Sequence, residues 1–404
     1  MKKGSSSVNR AHRIVFISVS TLSLDHQRLG AVEGVIYSLA RYFTKLGLPC
    51  SVLMPNSASS IRRNDGLVGQ AKAIFEKIII SKRFARQLKK TDPVAVMIWD
   101  VVPLVVLWIC APELRSKVVY TASSSRWPAM RGWGHFGEAV LDLLFVTLAK
   151  LVLRTLNCTI VQSQSYYEKF NQHVPKDRLV LIPPPLLSFP PPSSLRKHQE
   201  ETSVIDTLLG RHIVLFVGRK IPEKGIENLI IASSILAKSG LGPFSVLLVG
   251  PDGMWGDSET LYVHKLKSLC EKLGLTKIVG FVGTVDRSSL ATFYQAADVL
   301  VLPSLSEAFG HVVTEAMSFG KPVIGSDVGG ISLQVSNGVN GFLVPPGNPQ
   351  ELANRLKQLL NDDSLRERLG HNARIAASKY SIEATARKYL SCIKKATNRD
   401  ALKW

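Results

Sequence analysis

The sequence predicts an α/β protein with two domains, each built on a parallel β-sheet with helices packed against it. Three observations support this prediction. Short apolar runs typical of buried strands alternate with helical periodicity along the chain. A length of 404 residues is comfortable for two domains and long for one. Six prolines within residues 183–192 exclude a helix or an interior strand there and indicate a linker.

The same observations give the domain boundaries. We expect a first Rossmann-like domain over residues 1–190 and a proline-rich linker over 191–211. A second Rossmann-like domain follows over 212–380, and a C-terminal helix occupies 381–404. Strand–helix–strand order within each domain predicts parallel sheets with right-handed crossovers.

The composition argues against disorder, a disulfide framework and a zinc site. The chain is 46% hydrophobic and 20% charged, which is enough to bury large cores. Its five cysteines are scattered without a CxxC pair, as in a reducing compartment. Residues 1–13 are polar and basic, unlike a signal peptide. No clean apolar run reaches the about 18 residues of a spanning helix, since Asp100 and Pro103 interrupt 94–111 and three charged residues interrupt 139–156. We therefore expect a cytoplasmic protein, with membrane contact at either run as the alternative.

Positive charge is concentrated in the first half of the chain. The net charge is +19, and residues 1–190 hold 25 Lys and Arg against 11 Asp and Glu. Such an excess fits a membrane surface, a phosphorylated acceptor or nucleic acid. Within residues 69–90, apolar residues recur every four positions beside a cluster of cations: Lys82, Arg83, Arg86, Lys89 and Lys90. This pattern predicts an amphipathic helix that either lies on an anionic membrane or presents a solvated face.

The first domain begins with a strand over 13–18, a polar loop over 21–30, a helix over 31–46 and a strand over 51–54. Open α/β sheets bind ligands beyond the carboxyl ends of their strands, which places the loop ending at Gly30 in a binding position. Gly30 would let the backbone approach a ligand closely, because it lacks a Cβ atom. The alternative is a plain turn before a helix.

Further strands are expected over 94–99, 117–121, 159–163 and 179–182. The segment after Thr121 is a long loop that contains Ser123, Trp127 and Arg131. Long loops of this kind often bind substrates, so this loop is a candidate for acceptor contact.

The second domain opens with a strand over 213–217 followed by a cationic turn, Gly218-Arg219-Lys220-Ile221-Pro222-Glu223-Lys224-Gly225. Arg219 and Lys224 precede a helix there and would neutralise a diphosphate, Arg219 as a fork and Lys224 as a point charge. The alternative is a pair of surface cations. The turn lacks the Gly-Lys-Ser/Thr ending of a Walker A loop. The GxGxxG of residues 132–137 does not directly follow a strand, which weakens a dehydrogenase interpretation.

A strand–loop–helix over residues 297–318 carries the strongest chemical signal. An apolar strand over 297–302 leads into a loop with Glu307, and a helix starting near His311 carries Glu315. A helix N-terminus offers free N–H groups and a positive dipole end, which suit phosphate or sugar oxygens. Each carboxylate accepts hydrogen bonds from sugar hydroxyls. The alternative is two ordinary surface glutamates. The remaining predicted elements are strands over 245–250, 277–283 and 321–325 and helices over 350–360, 364–380 and 381–396.

Glu307 and Glu315 are separated by seven residues within S-E-A-F-G-H-V-V-T-E-A-M. This stretch resembles the signature of family 4 of the retaining glycosyltransferases, which have the GT-B fold of two Rossmann-like domains facing each other across a cleft. The resemblance implies that Glu307 meets the donor sugar and that Glu315 holds the ribose hydroxyls. It also implies that the intervening backbone cradles sugar and phosphate: Ala308, Phe309, Gly310 and His311. The Gly218-Arg219…Lys224-Gly225 turn is similar to the element whose Arg and Lys bind the diphosphate.

In the first domain the resemblance holds only in outline. The loop at Gly30 is similar to the glycine-rich loop that approaches the diphosphate, although many relatives have a second glycine where this chain has Ala31. Ser123 stands where many relatives have a sugar-contacting histidine, and His26 or His135 would be its spatial replacement. The resemblance further implies a C-terminal helix that crosses back to the first domain.

The implied function is retaining transfer of a sugar from a nucleotide-sugar donor, with UDP as the default nucleotide. The acceptor would be a glycan or a lipid-linked molecule of cell-surface polysaccharide or glycolipid biosynthesis, met in the cytoplasm or at the inner membrane face. We expect no cofactor and no metal, because an Asp-x-Asp motif is absent and cations take its place. The alternatives are a nucleotide-sugar epimerase of GT-B-like fold and a non-catalytic basic binding protein. Nucleic acid is not expected, because aromatic and basic residues are only weakly clustered.

Overall fold

The computed structural model describes residues 13–18, 31–54, 66–122, 136–189, 210–253 and 261–398. The chain divides into two compact units. The first consists of Met1–Gln162, Tyr166–Pro183 and Ile382–Trp404, and the second of Ser163–Ser165 and Pro184–Ser381. The linker expected over 191–211 lies outside the described residues except for its last two positions.

A parallel sheet forms the centre of the first unit, with strands in the order β2-β1-β3-β4-β5-β6. Its strands are β1 (Ile14–Ile17), β2 (Cys50–Leu53), β3 (Ala95–Ile98), β4 (Val118–Ala122), β5 (Cys158–Val161) and β6 (Leu179–Leu181). Every residue of β1, β3, β4 and β5 is buried. Burial on both faces explains why these strands appear in the sequence as continuous apolar runs.

Helices connect these strands. They are α1 (Ala31–Lys45), α2 (Gly66–Thr91), α3 (Val101–Cys110), α4 (Phe136–Thr155) and α5 (Gln164–Phe170). On α2 the side chains of Ala85 and Leu88 are buried, whereas Lys82, Arg83 and Arg86 are exposed. The predicted amphipathic helix therefore exists, and its cationic face is accessible to solvent.

The second unit contains another parallel sheet, ordered β12-β11-β10-β7-β8-β9. Its strands are β7 (His212–Val217), β8 (Phe244–Val249), β9 (Val279–Val282), β10 (Val299–Leu302), β11 (Val323–Ser326) and β12 (Gly341–Val344). The helices are α6 (Ile226–Ala237), α7 (Leu261–Lys272), α8 (Arg287–Ala296), α9 (His311–Ser318), α10 (Ile331–Gln334), α11 (Pro349–Asn361) and α12 (Asp363–Ala377). Strand β10 lies between β7 and β11, so the loops that follow β7 and β10 leave the same edge of the sheet side by side.

The C-terminal helix α13 (Ile382–Thr397) belongs to the first unit. Its Tyr389 is fully buried and its ring stacks on that of Trp99, with ring centroids 6.3 Å apart. The α/β prediction with two parallel sheets is confirmed. Strand β12 and helices α7 and α8 were not predicted from the sequence. Among the described residues, none of the helices combines the length and the apolar character needed to cross a membrane.

Candidate functional site

The candidate site is built on the loop that joins β10 to α9 in the second unit. The backbone N–H of Gly330 donates to the carbonyl oxygen of Glu307 at 3.4 Å. Gly329 has φ +53°, and a Cβ atom there would overlap the same carbonyl oxygen. A residue with a side chain would therefore be strained at position 329 and would also displace the loop. The turn at Gly329–Gly330 thus fixes the backbone of Glu307.

The loop ends at Gly310, which is the N-cap of α9 and has φ +83°. The buried Gln334 side chain donates to the carbonyl oxygens of Phe309 and, at 3.0 Å, Gly330. Glycine supplies no side-chain acceptor to the N–H groups of the first helical turn. The start of α9 is therefore suited to an anion or a sugar oxygen, and the role of the backbone from Ala308 to His311 stays a prediction.

Glu307 forms an ion pair with Lys224, which lies at the end of the turn Pro222–Lys224 before α6. The Lys224 Nζ donates to Oε2 of Glu307, and the hydroxyl of Ser304 donates to the same oxygen at 3.3 Å. The two charged side chains are only 17% and 12% exposed. A Cβ atom at Gly225 would overlap the carbonyl oxygen of Pro303, so the two loops are in direct contact.

The other charged residues of the turn after β7 differ in their environment. Arg219 is exposed, whereas its neighbour Lys220 is fully buried. The Lys220 ammonium donates to the carbonyl oxygens of Gly250 and Val282 and to a carboxylate oxygen of Asp252. Burial lowers the pKa of Lys220, and Asp252 opposes part of this effect. Lys220 therefore ties the turn after β7 to the loop after β8.

Gly218 takes part in the same junction. Its backbone N–H donates to the carbonyl oxygen of Val249 at 2.9 Å. A Cβ atom at Gly250 would overlap the carbonyl oxygen of Gly218. The two backbones therefore approach as closely as glycine allows, at the point where β7 and β8 end.

The hydrogen-bond donors that hold Glu315 differ from those that hold Glu307. It is 4% exposed. Its Oε1 accepts a hydrogen bond from Nη1 of Arg287, and its Oε2 accepts one from the hydroxyl of Tyr294, each at 2.8 Å. Burial and the charge of Glu315 raise the pKa of Tyr294 well above its ordinary value, so the phenol stays a donor. Arg287 and Tyr294 were not predicted as site residues, because the helix α8 that carries both was not predicted from the sequence.

His311 is the first residue of α9 and its ring lies edge-on to that of Phe309, with centroids 5.4 Å apart. Burial lowers its pKa, and the charge of Arg287 lowers it further. The carboxylates of Glu315 and Glu307 act in the opposite direction without cancelling the effect of burial. His311 is therefore neutral at neutral pH and adds no positive charge to the start of the helix.

The structure thus brings Lys224 to Glu307 and places Glu315, His311 and Gly310 on the adjoining helix start. Gly30, Ser123 and both candidate histidines, His26 and His135, lie outside the described residues. Within the part of the chain that is described, no group of three or more His, Cys, Asp or Glu side chains is arranged to hold a metal ion.

Comparison with known proteins gives a family match over part of the chain and a fold for nearly all of it. The family described as "Glycosyl transferases group 1" matches residues 199–376. A D-inositol 3-phosphate glycosyltransferase from Jonesia denitrificans is 33% identical over 204 residues, which cover 50% of this chain and 47% of that protein. The chain therefore spans about half the length of the curated relatives it matches.

Two solved structures resemble nearly the whole chain. Sucrose-phosphate synthase from Thermosynechococcus elongatus has a TM-score of 0.73 at 23% identity, covering 94% of this chain and 98% of that one. Anabaena HepE in complex with UDP-glucose has a TM-score of 0.65 at 22% identity, with the same coverage. At such identities the likeness establishes the fold, which is GT-B.

Proposed function

We propose that this chain, whose residues 199–376 match the family of group 1 glycosyl transferases, moves a sugar from a nucleotide-sugar donor to an acceptor. The observation that carries the proposal is the Lys224–Glu307 ion pair beside the start of α9. It combines a cation for a diphosphate, a carboxylate for sugar hydroxyls and a helix dipole within one small region.

The chemistry follows from where charge develops. When the bond between the anomeric carbon and the diphosphate oxygen breaks, negative charge grows on the leaving diphosphate. Lys224, the exposed Arg219 and the N–H groups at the start of α9 would stabilise that charge. Glu307 would orient the sugar by accepting hydrogen bonds from its hydroxyls. Glu315, on the second turn of α9, would accept hydrogen bonds from the ribose.

The donor in this proposal is a UDP-sugar. HepE, whose fold this chain shares, was solved with UDP-glucose, which supports UDP as the first nucleotide to test. The proposal includes transfer with retention of anomeric configuration, by attack on the face from which the diphosphate leaves. No protein nucleophile is assigned, and Lys224 and Arg219 supply the positive charge that a divalent metal would otherwise provide.

The acceptor in this proposal is a glycan or a lipid-linked molecule at the inner face of the cytoplasmic membrane. The support is the exposed cationic face of α2, formed by Lys82, Arg83, Arg86, Lys89 and Lys90. Lysine and arginine near an anionic surface each contribute about 1 kcal/mol to binding. Sedimentation with phosphatidylglycerol vesicles, but not with phosphatidylcholine vesicles, would support this location. Recovery in the supernatant with both would contradict it.

The activity is tested by following UDP-glucose, UDP-galactose and UDP-N-acetylglucosamine by NMR, with and without a lipid extract as acceptor and with EDTA present throughout. Release of UDP together with an α-linked product from these α-linked donors supports retaining, metal-independent transfer. Conversion of one donor sugar into its epimer without an acceptor would instead identify an epimerase. Turnover only after Mg²⁺ replaces EDTA would contradict metal independence.

A further inference from the structure

Arg287 joins Glu315 to a backbone segment at the beginning of the second unit. The segment comprises residues 186–189 and follows directly after Pro183–Pro185 in the chain. Nothing in the sequence marks Arg287, which stands between the helix-capping Asp286 and two serines. Its side chain nevertheless contacts both Glu315 and three residues of this segment.

All three guanidinium nitrogens of Arg287 have partners. Nη1 donates to Oε1 of Glu315 at 2.8 Å, Nη2 to the carbonyl oxygen of Leu187 at 2.7 Å, and Nε to that of Ser188 at 2.9 Å. The guanidinium carbon lies 4.2 Å from the centroid of the Phe189 ring. A planar fork with several fixed donors can bridge these groups at once, which a lysine cannot do.

The packing beneath these contacts is aromatic. The ring of Phe189 lies edge-on to Tyr294 and Phe319, with centroids 5.8 Å and 5.0 Å apart. Tyr294 stacks on Phe319 at 5.5 Å. The backbone N–H of Leu186 donates to the carbonyl oxygen of Tyr380 at 2.7 Å. The segment that holds Arg287 is therefore itself anchored, so Arg287 has little freedom to move.

These contacts determine which acceptor positions of Glu315 remain for a ligand. A carboxylate has about four lone-pair sites, two on each oxygen. Arg287 uses one site on Oε1 and Tyr294 uses one on Oε2. Among the described residues these two donors leave one site on each oxygen, and the two contacts fix how those sites are oriented. This arrangement matches two adjacent hydroxyl donors, as a ribose carries at its 2′ and 3′ positions.

We propose that Arg287 is a positioning residue for ribose recognition: it holds the Glu315 carboxylate in the orientation in which it accepts hydrogen bonds from the ribose diol. This inference rests on the proposed function and extends it to a residue of α8. Removing the cation would leave the buried carboxylate of Glu315 without its charged partner and free to rotate. It also releases the carbonyl oxygens of Leu187 and Ser188. Arg287 thus acts on the nucleotide through Glu315, without needing to touch it.

The test compares ribonucleotides with their 2′-deoxy forms. Dissociation constants are measured by calorimetry for UDP, GDP and ADP and for dUDP, dGDP and dADP, on the wild type, Arg287→Met and Glu315→Gln. The wild type should prefer the ribonucleotide by about 10- to 100-fold, the range for one hydrogen bond to a charged group. Arg287→Met should reduce the ratio of the deoxynucleotide dissociation constant to the ribonucleotide dissociation constant to near 1. Arg287→Met combined with Glu315→Gln should weaken binding no more than Glu315→Gln alone, since both act through one group.

Three further variants keep the test decisive. Arg355→Met is the matched control, because Arg355 also pairs with a glutamate, Glu351, and lies over a phenylalanine ring in the same unit. It should leave the ratio unchanged. If Arg287→Met fails to fold, Arg287→Lys and Tyr294→Phe replace it, since each removes only part of the contact set. Each should lower the ratio at least threefold.

Other outcomes overturn the inference in distinguishable ways. Equal weakening of ribonucleotides and deoxynucleotides in the Arg287 variants would mean a purely structural role. Unchanged affinities would show that Arg287 does not act on the site, and a wild type without a ribose preference would remove the role of Glu315. Failure of the wild type to bind any of the three ribonucleotides would overturn the proposed function together with this inference.

Discussion

The side chains of Lys224 and Glu307 are 83 residues apart in the chain and form an ion pair. They meet because β7 and β10 are neighbouring parallel strands, and the loops after their carboxyl ends leave the sheet side by side. Open α/β sheets bind ligands at this edge. The glycine at position 225 brings the two loops into contact and so places the cation beside the carboxylate.

Replacing either partner of this pair should reduce sugar transfer while leaving the fold intact. For Lys224→Met and Glu307→Gln we expect turnover to fall about 100- to 1,000-fold, as for loss of one group that stabilises developing charge. The measurement is the rate of UDP release from a saturating donor. Lys238→Met is the control, because Lys238 is an exposed lysine just after α6. Turnover in Lys224→Met within twofold of the control would contradict the assigned role.

Gly329→Ala should destabilise the protein more than Gly338→Ala. Both glycines have positive φ, +53° and +75°, so alanine costs about 1 kcal/mol at each. At 338 a Cβ atom meets nothing within 4 Å, whereas at 329 it overlaps the Glu307 carbonyl oxygen. We expect a loss of about 2–4 kcal/mol at 329, including the cost of overpacking. Urea denaturation measures the free energy of unfolding of both variants. Equal losses would show that the loop at Glu307 accommodates the Cβ atom without further destabilisation.

The carboxylates and Lys224 could be predicted from the sequence because each lies in a local pattern. Glu307 and Glu315 belong to one strand–loop–helix, and Lys224 precedes the helix that follows a clear strand. Their proximity depends only on parallel strand order, which the βαβ alternation implies. The apolar runs of the central strands likewise allowed both sheets to be predicted, because strands that are buried on both faces are apolar throughout.

The rest of the site depends on which chain segments pack together. Arg219 and Lys220 are adjacent cations that a sequence does not distinguish, yet one is exposed and the other fully buried. Arg287 and Tyr294 lie on α8, where three polar residues stand in the first turn and the helical pattern is weak. Their contacts with Glu315 arise from tertiary packing, which no local signal encodes.

Lys220→Met should strongly destabilise the second unit. Methionine matches the lysine stem in size but leaves the carbonyl oxygens of Gly250 and Val282 without the ammonium donor. A lost donor in a buried site costs about 1–3 kcal/mol, and more when it is charged, so we expect a loss of about 2–4 kcal/mol. Lys272→Met, at an exposed lysine of α7, should change stability by less than about 0.5 kcal/mol. Chemical denaturation compares the two, and similar small changes would contradict a structural role for Lys220.

His311 should make the protein less stable below about pH 6.5, the ordinary pKa of histidine. Because the folded pKa lies below the unfolded value, the unfolded state binds more protons in this window. The free energy of unfolding therefore rises with pH until the unfolded histidine is neutral, and it falls on acidification. In His311→Gln the free energy of unfolding should fall less between pH 7 and pH 5 than in the wild type. His264→Gln, at an exposed histidine of α7, is the control. Parallel pH curves for His311→Gln and the wild type would contradict the prediction.

The most direct test of the donor site is titration calorimetry with UDP-glucose, GDP-glucose and ADP-glucose. It uses the wild type, the Lys224→Met/Glu315→Gln double variant and the Lys238→Met control. We predict that the wild type and Lys238→Met bind one of the three donors with equal affinity, and that the double variant binds it at least tenfold more weakly. Equal affinity in the double variant would place the nucleotide elsewhere, and no binding by the wild type would contradict the glycosyltransferase proposal.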